Sequence, residues 1–220
     1  MLFQDRTAAG QLLVTKLTAY ANRSDLLVLA LPRGGVPVAF EVAKALKAPL
    51  DIFLVRKLGV PGQEELAMGA IASGGVRVIN AEVVRSQGIS EAVINRVATK
   101  EQRELERREH LYRDDRPSLN LCGRIVILVD DGLATGATMR AAVVAVRQQQ
   151  PVGVVIAVPI SSAKACDEFK AEVDEIVCAM TPEPFHAVGL WYQHFPQTTD
   201  AEVCSLLKQS LHLQPATLHQ

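Results

Sequence analysis

Short apolar runs of strand length recur along this chain, and each is closed by a loop and followed by a segment of helical spacing. "DLLVLAL" (25–31) ends in "PRGG" (32–35), continues into "VPVAFEVAKAL" (36–46) and reaches a second run, "PLDIFLV" (49–55). The rhythm returns with "RIVILVD" (124–130), "TMRAAVVAVRQQ" (138–149), "VGVVIAVPI" (152–160), "SAKACDEFKAE" (162–172) and "VDEIVCAM" (173–180). Continuous apolar runs joined by helices predict buried parallel strands, because each crossover helix covers one face of the sheet. The expected fold is therefore α/β and doubly wound, a mainly parallel sheet with helices on both faces. Such sheets bind ligands at the carboxyl ends of their strands, which places "PRGG" and the loop after "RIVILVD" on one functional edge.

Between these halves the pattern changes. Residues 65–80, "ELAMGAIASGGVRVIN", read as a hairpin around Ser73-Gly74-Gly75. Residues 89–116 read as a charged helix packed through Val93, Val97 and Leu105, its Arg and Glu residues forming a solvated face with helical ion pairs. Upstream, Ala9, Leu12, Leu13, Leu17 and Tyr20 are spaced as an amphipathic helix over about 5–21. The expected organisation is a core over 1–180, with the hairpin and charged helix inserted at about 66–116, and a C-terminal segment and tail over 181–220, the segment that the resemblance given below makes a small hood.

With 220 residues, 49% of them hydrophobic, the chain can bury a full core, and its net charge of −1 gives no global attraction for nucleic acid. No DNA partner is expected; the arginine-rich stretch 96–116 is the segment compatible with RNA contact. Cys122, Cys166, Cys178 and Cys204 lie far apart without a CxxC pair, so reduced thiols are expected rather than zinc ligands or a disulfide framework. No signal-type or 18-residue uncharged apolar stretch is present, and the expected location is cytoplasmic, with no membrane partner.

The most specific segment is "ILVDDGLATGAT" (127–138). A loop of small residues between strand and helix aims backbone N–H groups at a phosphate, aided by the positive end of the helix dipole. Thr135 and Thr138 add hydroxyls, and Gly136 allows close backbone approach. Asp130 and Asp131, at the strand end, can accept hydrogen bonds from vicinal ribose hydroxyls or hold hydrated Mg²⁺. The bland reading is an Asp-Asp-Gly turn followed by a helix cap. A receiver-type phospho-acceptor is disfavoured because two βα elements precede the acids.

"VILVDDGLATGAT" resembles the 5-phosphoribosyl 1-pyrophosphate signature of type I phosphoribosyltransferases, with Gly132 standing where the family usually has an aliphatic residue. The resemblance implies ribose contacts and metal binding for Asp130 and Asp131, and a 5-phosphate loop of Ala134, Thr135, Gly136, Ala137 and Thr138. It implies pyrophosphate binding by Arg33, Gly34 and Gly35 of "LPRGG", a loop that in the family often contains a non-proline cis peptide. It assigns Arg56 and Lys57 of "VRKLGVPGQEE" (55–65) to the same pyrophosphate, with Gly59 to Glu65 as a mobile lid. Asp130, Asp131, Arg33, Arg56 and Lys57 thus form the expected catalytic set, with Mg²⁺ as cofactor.

The implied reaction transfers ribose 5-phosphate to a nucleobase or related nitrogen acceptor. Members using 6-oxopurines usually carry Asp at the position of Ala134, so alanine points away from hypoxanthine and guanine. The segment 181–203 resembles the terminal hood of purine members, and Phe185 and Trp191 are the expected acceptor contacts; Trp191 also suits a core position, and His186 or His194 as acid or base is the less favoured reading. The family's members are often homodimers. The alternative reading is a non-catalytic sensor or regulatory protein that binds the same donor; retention of Arg33, Arg56 and Lys57 favours turnover.

Overall fold

The structure is a computed structural model that describes residues 2–114, 116–117 and 120–213, the side chain of Glu65 excepted. Its centre is a five-stranded sheet of β1 (Leu26–Ala30), β2 (Leu50–Ile52), β6 (Ile125–Val129), β7 (Gly153–Ile160) and β8 (Glu175–Met180), ordered β2-β1-β6-β7-β8. Every pairing in it is parallel, with Leu26 opposite Ile125 and Ala30 opposite Val129 at the centre. The apolar runs are strands because both of their faces are covered. Leu26, Val28, Ala30, Ile127, Val129, Val155 and Ala157 face a core shared with α2 (Gly35–Leu46) and α7 (Asp200–His212), together with Leu13 of α1 (Arg6–Val14). Their neighbours Leu27, Leu29, Val126, Leu128, Val154 and Ile156 face the opposite core, filled from α5 (Ala137–Gln148) and α6 (Ala163–Phe169). Strict alternation between two clusters is the packing signature of the doubly wound sheet expected from sequence.

The insertion carries a separate antiparallel sheet of β3 (Val55–Val60), β4 (Gln63–Ala72) and β5 (Val76–Ile79). The β4–β5 turn falls at Ser73-Gly74-Gly75 as expected. The stretch 59–65, by contrast, is not an irregular loop but the tip of a second hairpin, with Gly62 at φ 82°. A register shift on either side of Gly59 breaks the two-residue period there, which is why alternation did not disclose the strand.

Two helices differ from expectation at their ends. α1 stops at Val14 and a single 3₁₀ turn follows at Thr18–Tyr20. The insertion's long helix, α4 (Glu91–Arg113), follows the short α3 (Ala81–Ser86) and buries Ile94, Ala98, Leu105 and Tyr112, with Val93 and Val97 only half-buried beside that stripe. The expected solvated ion pairs are present, for Glu104 meets Arg107 and Arg108 at 2.8 Å each, and these two hydrogen bonds hold its carboxyl at about 2. No helix among the described residues is long and apolar enough to cross a membrane. The tail 214–220 lies outside the described residues.

The thiol expectation is corrected: Cys166 of α6 and Cys178 of β8 form a disulfide, while Cys122 and Cys204 are free. Twelve residues separate the two in sequence, so spacing gave no motif; the helix that follows β7 folds back beside β8 and brings them together.

Arg113 fastens α4 to the main sheet. Its Nε donates to Asp51 Oδ1 at 3.0 Å, its Nη2 to the Ile52 carbonyl at 2.7 Å, and its Nη1 to Glu109 at 3.0 Å. Arg113 and Asp51 are both buried. Removing one partner leaves an uncompensated charge, whereas replacing both with neutral groups of similar shape does not. Arg113→Ala is expected to destabilise the domain by about 3 kcal/mol or more in urea unfolding, and Arg113→Met/Asp51→Asn to recover most of that loss.

Candidate functional site

Because β1 and β6 are neighbours at the point where strand order reverses, their following loops meet in the crevice beyond the sheet. The Leu31 N–H donates to the Val129 carbonyl at 2.9 Å, so the two loops diverge only after this last rung. The β1 loop contains a cis peptide between Pro32 and Arg33, as the resemblance anticipated, and then enters α2 at Gly35. A Cβ on Gly34 would overlap the Asp131 carboxylate, and one on Gly35 would lie 2.6 Å from the Val129 carbonyl oxygen. Glycine at both positions lets the backbone press directly against the acid pair.

The acids are held differently. Asp130 Oδ1 accepts the Asp131 N–H at 2.8 Å, whereas Asp131 Oδ2 accepts Arg6 Nε at 2.9 Å. Burial raises the Asp130 carboxyl well above the usual carboxylate range, and the neighbouring Asp131 charge adds to this. Asp131 is also raised, by burial, although Arg6 pulls in the opposite direction.

Past the acids, Leu133 donates to the Ile160 carbonyl and the chain turns into α5 through Gly136, at φ 72°. No side chain caps this helix, and the N–H groups of Thr135 to Met139 find no protein acceptor among the described residues. Free donors at a positive helix end are able to cradle an anion. Gly136 is required twice over: its backbone is left-handed, and a Cβ there would lie 2.6 Å from the Phe169 ring of α6. Ala134, Thr135, Ala137 and Thr138 are exposed around it.

Gly132, the departure from the family pattern, has a local cause. A Cβ would lie 2.5 Å from Val188 Cγ1 and 2.9 Å from Ile160 Cγ2. Val188 begins a 3₁₀ turn, Val188–Trp191, in the segment 181–203 expected to form the hood, so the missing side chain is replaced by one from that segment. Phe185 and Trp191 are half-buried and pack with Val188 and Phe195 around Phe3, Ile160 and Tyr192, a cluster bordering the acid-pair turn. His186 and His194 are exposed.

The expected cations are less concentrated. Arg33 reaches Asp200 of α7 at 3.5 Å, and Asp200 also accepts the Tyr112 hydroxyl at 2.5 Å; that hydrogen bond, then Arg33's charge, holds the Asp200 carboxyl below its usual range. Arg56 is paired with Glu101 of α4 at 2.5 Å, and Lys57 follows it, exposed, on the next position of β3. The structure thus brings Asp130, Asp131, Gly34, Gly35 and the 134–138 loop together, while Arg33 and Arg56 are each engaged by a carboxylate of another element.

Sequence reasoning missed Arg6 and gave Tyr192 no role. Arg6 starts α1 and Tyr192 lies in the hood, where its hydroxyl donates to the Asp131 carbonyl at 2.6 Å. Neither lies in a motif, and only the folded chain places them beside residue 131.

As a metal site the arrangement is sparse. Among the described residues no group of three or more His, Cys, Asp or Glu could enclose an ion. Two adjacent carboxylates, one already paired, suit Mg²⁺ bound mainly through water and a ligand's own phosphates rather than in a protein cage.

A doubly wound α/β domain with an acid pair, a glycine-rich neighbour loop and an uncapped helix start at its switch point has the parts to hold a phosphate beside a diol. The comparisons agree: the family model "Phosphoribosyl transferase domain" matches residues 6–187, and the chain belongs to that family, in its type I form. It is 48% identical over 209 residues to the Mycobacterium tuberculosis (strain ATCC 25618 / H37Rv) protein "Putative phosphoribosyl transferase Rv0571c", covering 95% of this chain and 47% of that one. The same figures hold for the homologue MT0597 of strain CDC 1551 / Oshkosh, so the chain spans about half the length of these curated relatives. The crystal structure of TT1426 from Thermus thermophilus superposes with a TM-score of 0.85 at 42% identity, covering 95% of this chain and 99% of that one.

The raised Asp130 carboxyl has a consequence for stability. Above the ordinary carboxylate pKa of about 3.9 the unfolded chain sheds a proton that the native state keeps, so the group's contribution falls as pH rises towards the folded value. Asp130→Asn removes this penalty and keeps an oxygen for the Asp131 N–H. At pH 7 its unfolding temperature is expected to exceed wild type by about 2–4 °C, with the difference closing near pH 4. Equal unfolding temperatures at pH 7 would contradict the assigned direction.

Proposed function

We propose that this chain is a phosphoribosyltransferase that moves ribose 5-phosphate from 5-phosphoribosyl 1-pyrophosphate to a nitrogen of a nucleobase or related heterocycle. The observation that carries the reading is the juxtaposition of the uncapped start of α5 with the Asp130–Asp131 pair under the Gly34–Gly35 backbone. A phosphate monoester suits the free N–H groups of Thr135 to Met139, and vicinal ribose hydroxyls suit the two carboxylates. The pyrophosphate then falls to the 33–35 loop, with Arg33, Arg56 and Lys57 as its candidate cations.

In the reaction the acceptor nitrogen forms a bond to the anomeric carbon as the bond from that carbon to pyrophosphate oxygen breaks. Pyrophosphate leaves with the electron pair, and the acceptor nitrogen's proton passes to solvent. Asp130 and Asp131 would orient the ribose, and the amides of the two loops would oppose the phosphate charge at either end. Mg²⁺, when bound, would neutralise charge on the departing pyrophosphate. Phe185 and Trp191 are the candidate acceptor contacts, and Ala134, lacking a carboxylate, supports an acceptor other than a 6-oxopurine.

One observation favours a second reading, a donor-binding sensor that performs no transfer: Arg33 and Arg56 are engaged by Asp200 and Glu101 rather than directed at the acid pair. Pyrophosphate release from the donor with Mg²⁺, measured across adenine, hypoxanthine, guanine, xanthine, uracil and orotate, separates the two. Release with one base, lost in Asp130→Asn/Asp131→Asn, is the expected result. Donor binding without release for any base favours the sensor, and absence of donor binding would refute both.

A further inference from the structure

The Asp131 carboxylate is met by a residue from outside the loops that define the site. Arg6 and Asp131 are both largely buried, with side chains only 11% and 16% exposed. The guanidinium is fixed on three sides. Nε holds Asp131, Nη1 donates to the Pro196 carbonyl at 2.7 Å, and Cζ lies 3.9 Å from the centroid of the Phe195 ring, a cation–π contact. Phe195 in turn lies 4.7 Å from Tyr192, whose hydroxyl binds the Asp131 carbonyl. Residue 131 is therefore gripped at its side chain by the N-terminal helix and at its backbone by the hood.

This grip decides which carboxylate oxygens are left. Asp131 Oδ2 is taken by Arg6, and Asp130 Oδ1 by the following amide. Asp131 Oδ1 and Asp130 Oδ2 have no side-chain donor among the described residues. One oxygen per acid, on adjacent residues, is left to meet two vicinal hydroxyls: Asp131 Oδ1 as an acceptor, and Asp130 Oδ2, protonated in the free site, as a hydroxyl that can donate or accept. Without Arg6 the Asp131 carboxylate would be free to turn and would carry an uncompensated charge beside a second acid.

We propose that Arg6 is a positioning residue for the sugar diol: by locking the Asp131 carboxylate in one orientation, it makes the site select a ribose over a 2-deoxyribose. The inference rests on the phosphoribosyl reading above and adds to it a source of sugar selectivity outside both loops. The geometry also ties that selectivity to the hood, since Pro196 and Phe195 hold the guanidinium in place.

The test is calorimetric titration of wild type, Arg6→Met and Arg6→Lys with three probes in Mg²⁺ buffer: ribose 5-phosphate, 2-deoxyribose 5-phosphate and inorganic pyrophosphate. Hydrogen bonds to charged groups are worth enough for wild type to prefer ribose 5-phosphate by about tenfold. Arg6→Met is expected to reduce that preference to about threefold or less while pyrophosphate affinity stays within about twofold of wild type. A purely structural role would weaken all three probes together and leave the sugar ratio unchanged, which would overturn the proposal. Lysine offers one ammonium on a flexible stem in place of a planar fork, so Arg6→Lys is expected to give an intermediate ratio. If Arg6→Met does not fold, Arg6→Lys decides alone: a wild-type ratio refutes the inference and a ratio reduced about twofold or more supports it. Wild-type binding of ribose 5-phosphate without preference refutes the inference only, whereas no ribose 5-phosphate binding by wild type refutes the phosphoribosyl reading itself and the inference with it.

Discussion

The candidate site depends on one strand pairing, β1 against β6 in parallel register. Their residues pair from Leu26–Ile125 to Ala30–Val129, and the Leu31 amide then closes the ladder on Val129. A slip of β6 by one residue against β1 would turn Ile127 and Val129 into the core now filled by α5, and Val126 and Leu128 into the core filled by α2. It would also shift Gly34 and Gly35 relative to Asp131 and Asp130. Gly35 against the Val129–Asp130 backbone and Gly34 against the Asp131 carboxylate leave no room for a Cβ, so the register that satisfies the two cores also brings the loops within touching distance. Packing and site geometry are set by the same constraint.

Around that junction the remaining elements act on the charges. Burial in the crevice raises the carboxyls of both Asp130 and Asp131, and at Asp130 the charge of its neighbour adds to that cost. Arg6 offsets part of it at Asp131. The candidate pyrophosphate cations are treated in the opposite sense, Arg33 by Asp200 and Arg56 by Glu101. Both carboxylates belong to helices outside the sheet's loops, α7 and α4, and Tyr112 of α4 binds the same Asp200. A polyanionic ligand would have to compete with these carboxylates for the arginines, so the positions of α4 and α7 bear on its affinity even though neither helix belongs to a recognisable motif.

What could be read from the sequence divides along a physical line. Continuous apolar runs such as "LLVLA" and "IVILV" report burial on both faces, and the loop after "ILV" reports backbone chemistry that only small residues permit; both are local properties of the chain. The β3–β4 hairpin escaped because its bulge at Gly59 interrupts alternation. The partnership of Arg6 with Asp131 spans 125 residues and has no local signature, and the same holds for Val188 against Gly132. Arg33 and Arg56 were legible as cations beside strand ends, but their engagement by Asp200 and Glu101 depends on where α7 and α4 dock.

Gly132 shows how the long-range part reshapes the local motif. An aliphatic side chain at that position would supply its own apolar surface next to the acids, and this chain instead leaves a gap that Val188 enters from the hood. The apolar wall beside Asp131 is thereby carried on a segment that also holds Trp191 and Tyr192, and Tyr192 is bonded to the same turn. Moving the wall from the loop to the hood couples the two: any shift of the hood that withdraws Val188 opens a void at Gly132 and strains the Tyr192 hydrogen bond at once. A hood built in this way cannot swing freely over the acid pair. On the proposed function, entry of an acceptor is then more compatible with side-chain movement around the half-buried Phe185 and the exposed Leu190 than with displacement of the whole segment.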